Sequence, residues 1–204
     1  MEKDIISVKL ELLDNDDEVS EYKLKNTNGE VITSYSVEWN KTNALISYET
    51  SEKYRNQGYA SLGLNMLKKE LFTNNRALTL ELINLSGDYS RKVAENAGFF
   101  SPHDSMNYYV TINPFAEEVV ESKLLECESD SKLYSQLQRL LQRIKSLKKA
   151  QRKSRIKMQE KLKGLKEIVE IADNEEYKKE LMAEITHLDG IINRDGRGNE
   201  NGER

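Results

Sequence analysis

The alternation of apolar and polar positions sets up the first element. Val8, Leu10 and Leu12 are separated by Lys9 and Glu11, the two-residue period of a half-buried strand. A second run, Glu21 to Lys25, leads through Asn26-Thr27-Asn28-Gly29 into a third, Val31 to Trp39, and Asn28-Gly29 supplies the positive φ of a tight hairpin. Asn40-Lys41-Thr42-Asn43 turns the chain into a fourth strand, Ala44 to Thr50. The period then changes: Ala60, Leu64, Leu67 and Leu71 fall on one face of a helix that begins near Gly58 and ends at Asn74-Asn75. Leu78, Leu80 and Leu82 alternate with Thr79 and Glu81 as a fifth strand. Ser90 to Ala97 reads as a short helix closed by Gly98, and Tyr108 to Ile112 returns as a strand. Residues 1–113 therefore predict an α/β (α+β) domain built as antiparallel meander, helix, strand, helix, strand.

From about Phe115 onward only the helical period remains. Leu133, Leu137, Leu140, Ile144 and Leu147 form a seam of alternating four- and three-residue steps. Its register fails between Lys148 and Lys157 and resumes at Leu162, Leu165, Ile168 and Val169. Asp173, followed three residues later by Glu176, predicts a capping box for a second helix carrying Leu181, Ile185, Leu188 and Ile192. Residues 114–193 are thus expected to form a charged helical hairpin or coiled coil turning near Ala172 to Asn174, and residues 194–204 a disordered tail.

Composition sharpens this picture. Charged residues make up 32% of the 204, above the usual quarter, which places part of the chain on an exposed element outside a single large core. The net charge of -4 is unevenly distributed: between Arg139 and Lys166 twelve Lys/Arg face one acid, Glu160, so an acidic body carries a basic helical stretch. No segment has the length and apolarity of a membrane span, and the first residues are acidic, not a signal sequence, so a cytoplasmic protein without membrane partners is expected. One cysteine, Cys127, and two distant histidines, His103 and His187, give no metal-ligand spacing, so no metal is expected. Cys127 has no basic or helix-start neighbour and reads as an inert thiol.

The candidate chemistry lies at the junction from Ile46 to Ala60. A strand runs into a short loop with Arg55 and Gly58, and a helix begins with small residues at Gly58, Ala60 and Ser61. Such a start presents unpaired N–H groups and the positive end of the helix dipole, which suit a pyrophosphate; Arg55 adds a charge-assisted hydrogen bond. R-x-x-G-x-A alone is weak, because a glycine at a loop-to-helix junction more often serves backbone geometry.

In this order and spacing, YRNQGYA (Tyr54 to Ala60) resembles the acyl-coenzyme A motif of the GNAT acyl-CoA N-acyltransferase superfamily, and SRKVAENAGF (Ser90 to Phe99) resembles its later helix-plus-Gly-Phe element, in the style of the ribosomal-protein N-terminal acetyltransferase branch. The resemblance implies a reduced GNAT-like mixed sheet in which the fourth strand splays from the fifth. It implies acetyl-CoA as acyl donor, with Ser47, Tyr48 and Glu49 along the pantetheine arm, and Arg55, Gln57, Gly58, Tyr59, Ala60 and Ser61 around the pyrophosphate. Direct aminolysis of the thioester is the implied reaction, with Glu49 orienting or activating the amine and Tyr89 or Ser90 serving the leaving thiolate. The sequence departs from the family at Gly87, where Asn is usual, and at Ala94, where many members carry the proton-donating tyrosine. Only Asp14 to Ser20 separates the first two strands, where the family inserts two helices that wall the acceptor site.

Two functions follow. One is an N-acetyltransferase acting on an amine, small molecule or protein, whose helical extension supplies the missing wall or makes a homodimer. The alternative is a reduced GNAT core serving as a binding module whose basic helices engage nucleic acid or a partner protein. For the basic helix itself, a solvated face is the simpler reading than a nucleic-acid interface.

Overall fold

The computed structural model describes residues 7–16, 18–73, 76–85, 87–103, 105, 107–129 and 131–197. Six strands, β1 (Val8–Asn15), β2 (Val19–Asn26), β3 (Val31–Asn40), β4 (Asn43–Thr50), β5 (Thr79–Ile83) and β6 (Tyr108–Ile112), form one mixed sheet in sequence order. The helices are α1 (Tyr59–Thr73), α2 (Gly87–Asn96), α3 (Ala116–Leu125), α4 (Lys132–Ile171) and α5 (Glu175–Arg197). By packing, the described chain divides between Leu147 and Lys148, so residues 114–147, which the sequence groups with the helical extension, belong to the same unit as the sheet.

Within the first unit β1 to β4 are an antiparallel meander, β4 and β5 are parallel, and β6 is antiparallel to β5. The meander is built from the turns its sequence requires: Gly29 (φ 80) lies between β2 and β3, and Lys41 (φ 58) between β3 and β4. A bulge between Leu12 and Asp14 breaks the alternation of β1, which leaves Leu12 and Leu13 exposed where the simple period would bury Leu12. The core lies between one sheet face, with Leu24, Ile32, Val37 and Leu80 fully buried, and the apolar stripe of α1, Leu64, Leu67 and Leu71, joined by Val93 and Ala94 of α2. Tyr35 crosses from β3 to donate to the Ala60 carbonyl (3.1 Å), and it packs so closely on Gly63 that a Cβ there would overlap its hydroxyl. Ala116, Val120, Leu137, Ile144 and Leu147 are buried in the same unit. Arg143 of α4 pairs with Glu81 of β5 (2.6 Å).

The second unit contains the remainder of α4 and α5. Leu162, Ile185 and Leu188 pack together, flanked by Met158, Leu165, Val169 and Ile192. The connection falls at 172–174 as the sequence predicts, but the cap is Asn174 and not Asp173: Asn174 Oδ1 accepts the N–H groups of Glu176 (2.9 Å) and Tyr177 (3.0 Å). α5 continues to Arg197, past the expected end at 193, and the expectation of a tail over 198–204 lies outside the described residues, as does the Asn74-Asn75 helix stop. No helix among the described residues is long and apolar enough to cross a membrane.

Candidate active site

The parallel pair of β4 and β5 is short. Asn43, Ala44 and Leu45 pair with Thr79, Leu80 and Glu81, after which β4 runs on from Ile46 to Thr50 with no partner strand on that side. Among the described residues that edge of β4 pairs with no strand beyond Leu45, the arrangement an extended chain needs to add itself to a sheet edge.

At its far end β4 gives way to a 3-10 turn, Glu52–Tyr54, and a loop into α1. Asn56 (φ 61) and Gly58 (φ 86) both adopt left-handed backbone conformations in the loop that leads into α1. Leu62 N–H is the first to enter the helical ladder, on the Gly58 carbonyl (3.0 Å), so the N–H groups of Tyr59, Ala60 and Ser61 precede it. A Cβ built on Gly58 would meet nothing within 4 Å: the glycine is required by its φ, and the space above it is open.

The loop is held from below by Tyr54 and Asn26 together with two residues that the sequence reading did not single out, Glu30 and Lys53. Tyr54 is buried, meets Tyr59 edge-on (5.8 Å between ring centroids) and donates to Glu30 Oε2 (2.5 Å). Lys53 Nζ reaches Glu30 Oε1 (2.9 Å), and Asn26 Nδ2 donates to Glu30 Oε2 (2.8 Å). Hydrogen bonds from Tyr54, Lys53 and Asn26 bring the Glu30 carboxyl down to about 2. The signal for this anchor was a carboxylate beside the Asn28-Gly29 turn, meaningful only once the loop lies over it.

The predicted site residues fall into four groups, with Tyr48 between the last two. Gly58, Tyr59, Ala60 and Ser61 form the helix start as expected, but the Ser61 hydroxyl donates to the Val93 carbonyl (3.1 Å), so its side chain is taken up by α2. Arg55 Nε donates to the Thr50 carbonyl (3.2 Å), and Gln57 Nε2 to that of Lys53 (2.8 Å), so the Gln57 amide is folded back onto the 3-10 turn. Ser47 and Glu49 point to the opposite sheet face from α1, where with Glu21, Lys23, Ser34 and Ser36 they line a concave surface of about 310 Å³. Three serines on its floor leave the room that larger side chains would occupy. Tyr89 and Ser90 sit in the first turn of α2 and reach back toward β4: Tyr89 Oη accepts the Asn56 N–H (3.0 Å), and Ser90 lies beside the Tyr48 phenol. The Tyr48 ring leans on Tyr35 (6.3 Å), and burial raises its phenol to about 12, with Ser90 acting in the lowering direction.

No family model and no curated protein matches the sequence. Among solved structures the chain is similar to the ribosomal-protein-S5-alanine acetyltransferase of Vibrio fischeri (13% identity, TM-score 0.40, 47% of this chain and 62% of that one). It is also similar to the dodecameric spermidine N-acetyltransferase of Vibrio cholerae (12%, TM-score 0.43, 49% and 68%). A third is a ribosomal L7/L12 alpha-N-protein acetyltransferase in complex with coenzyme A (18%, TM-score 0.41, 47% and 62%). The chain spans less than two thirds of the length of the first and third of these. What each of these binds or acts on belongs to that protein.

Proposed function

We propose that the first unit is an acyl-CoA-dependent N-acyltransferase, transferring an acetyl group to an amine by direct aminolysis. The observation that supports this reading is the parallel β4–β5 pair that opens after Leu45 and Glu81 and ends against a left-handed loop and helix start. A slot that offers strand-edge hydrogen bonds along its length and N–H groups at its mouth suits a long, thin, amide-bearing ligand with a pyrophosphate at one end. The residues fit: the space above Gly58 is clear, and the unladdered N–H groups of Tyr59 to Ser61 lie beside it.

Acetyl-CoA, when bound, supplies an activated acyl thioester. The chain's own groups do the rest. Strand N–H groups between Ile46 and Thr50 align the arm and stabilise negative charge developing on the carbonyl oxygen. Glu49, on the serine-floored face, takes the proton that the attacking amine loses, directly or through water. Ser90 and Tyr89 offer hydroxyls on the α2 side, replacing the side chain that Ala94 lacks.

The test is a thermal-shift titration with acetyl-CoA and CoA. At ligand a hundredfold above Kd the stabilisation should be about 2.7 kcal/mol. Arg55→Ala should weaken binding by roughly 1.5 to 3 kcal/mol, the scale for hydrogen bonds to charged groups. A melting temperature unmoved by millimolar CoA would overturn this reading in favour of a binding module.

A further inference from the structure

The strand β1 forms one edge of the sheet, and among the described residues no strand pairs with its outer side. Leu10 lies opposite the fully buried Leu24 and Leu12 opposite the buried Tyr22, so Val8, Leu10 and Leu12 share the face on which the core packs. Val8 and Leu10 reach that core, whereas Leu12 is left 49% exposed. Lys9 and Glu11 stand on the other face. Glu11 Oε2 is held by Lys25 (2.6 Å), while its Oε1 lies 3.6 Å from Lys9, whose side chain is 78% exposed.

An uncovered edge offers a row of N–H and C=O groups to another strand, and proteins usually block it with a lysine or a bulge. Both devices are present in β1. The bulge, however, falls between Leu12 and Asp14, past the segment from Val8 to Leu12, and Lys9 does not oppose every strand equally. When two copies of this segment run antiparallel about Leu10, Leu10 stands opposite Leu10, Lys9 opposite Glu11, and Val8 opposite Leu12. Each position then meets its complement, apolar on the core face and opposite in charge on the other. Centring the pair on Lys9 or on Glu11 would set like charges face to face, and centring it between Leu10 and Glu11 would set charge against leucine. We propose that β1 is the contact through which two copies of this chain associate, paired antiparallel about Leu10 into one continuous sheet. The contact covers Leu12 of each copy with Val8 of the other, and each Glu11 keeps Oε2 on Lys25 and receives Lys9 of the second copy at Oε1. It differs from an assembly through the helical seams and places no demand on the acyl-CoA reading.

Sedimentation velocity on the full chain tests this, with melting followed by circular dichroism to verify that each variant is folded. Wild type should sediment as a dimer that dissociates on dilution. Lys9→Glu sets carboxylates opposite each other at two symmetric places, and Glu11→Lys does the same with amines, so each alone should dimerise about tenfold more weakly or worse. Mixed in equal amounts, the two variants should form a dimer again, because each strand then carries the charges that the other requires. Leu12→Asp, at an exposed position opposite Val8, should melt as wild type does and also lose the dimer, which keeps the test valid if Glu11→Lys, beside Lys25, does not fold. A wild type that stays monomeric up to submillimolar concentration would overturn the proposal. So would a dimer that survives both Lys9→Glu and Leu12→Asp unchanged, since assembly would then run through another surface, or two folded charge variants that fail to associate when mixed.

Discussion

The two units solve the problem of burial differently. In the first, Leu24, Ile32, Val37, Leu64, Leu67 and Leu80 are all inaccessible to solvent, held between a sheet and a helix that meet from distant parts of the sequence. In the second, the buried apolar positions Leu162, Leu181, Ile185, Leu188 and Ile191 each keep between 5% and 9% of their surface. Two helices alone cannot enclose an apolar stripe, whereas a sheet and a helix packed face to face can. The difference teaches where precision is available: a slot whose walls must hold their spacing is placed on the enclosed core, and the basic, salt-bridged helices are left with a seam that tolerates change.

The largest effect that could break this comparison is truncation at each core. Leu67→Ala should cost about 2 to 5 kcal/mol, because the enclosed site cannot collapse around the cavity, while Leu188→Ala should stay near the low end of that range, about 2 kcal/mol or less. Urea melts followed by circular dichroism would measure both; equal losses would erase the distinction. Alanine at two glycines sharpens the comparison with opposite signs. Gly58 sits at φ 86, so Gly58→Ala should destabilise by about 1 to 2 kcal/mol and weaken acetyl-CoA binding, although nothing crowds the new methyl. Gly164 lies inside α4 with open space around it, so Gly164→Ala should stabilise by about 0.5 to 1 kcal/mol. Loss of stability at both positions would show that the second unit is as tightly constrained as the first.

The smallest expected effect is pH-dependent and confined to the loop anchor. The Glu30 carboxyl is lowered to about 2 from an ordinary 4.5, so its contribution is fully present above about 4.5 and is lost as pH falls toward 2. Glu30→Gln should flatten the acid side of the stability profile over that interval, seen in melts at stepped pH, and should loosen acetyl-CoA binding at neutral pH by slackening Tyr54 and Lys53. A variant with the wild-type acid profile would remove Glu30 from the anchor.

Much of the fold was legible because its signals are local. The period-two runs, Asn28-Gly29 and the stripe Ala60, Leu64, Leu67 and Leu71 predict strands, turn and helix within a few residues of their observed limits. The misjudged boundaries have physical causes. α2 begins at Gly87, three residues early, because its first turn is polar and carries no periodic signal. Asn174 displaces Asp173 as a cap because adjacent residues of similar chemistry compete for one position. The grouping of residues 114–147 with the later helices followed from period and charge, which say what an element is and not what it packs on.

For the site, the sequence alone determined the backbone part: a glycine that permits a left-handed turn, small residues opening a helix, and a strand leading into both. These depend on steric preferences that each residue carries with it. Tertiary structure decided which side chains attend that backbone. It turned the Ser61 hydroxyl into the α1–α2 contact, set Ser47 and Glu49 on the face opposite α1, brought Glu30 under the loop and laid Tyr89 against Asn56. A hydrogen bond or an ion pair is a relation between two places in space, and residues 33 positions apart, such as Asn56 and Tyr89, become neighbours only when strand order and helix packing have put them there.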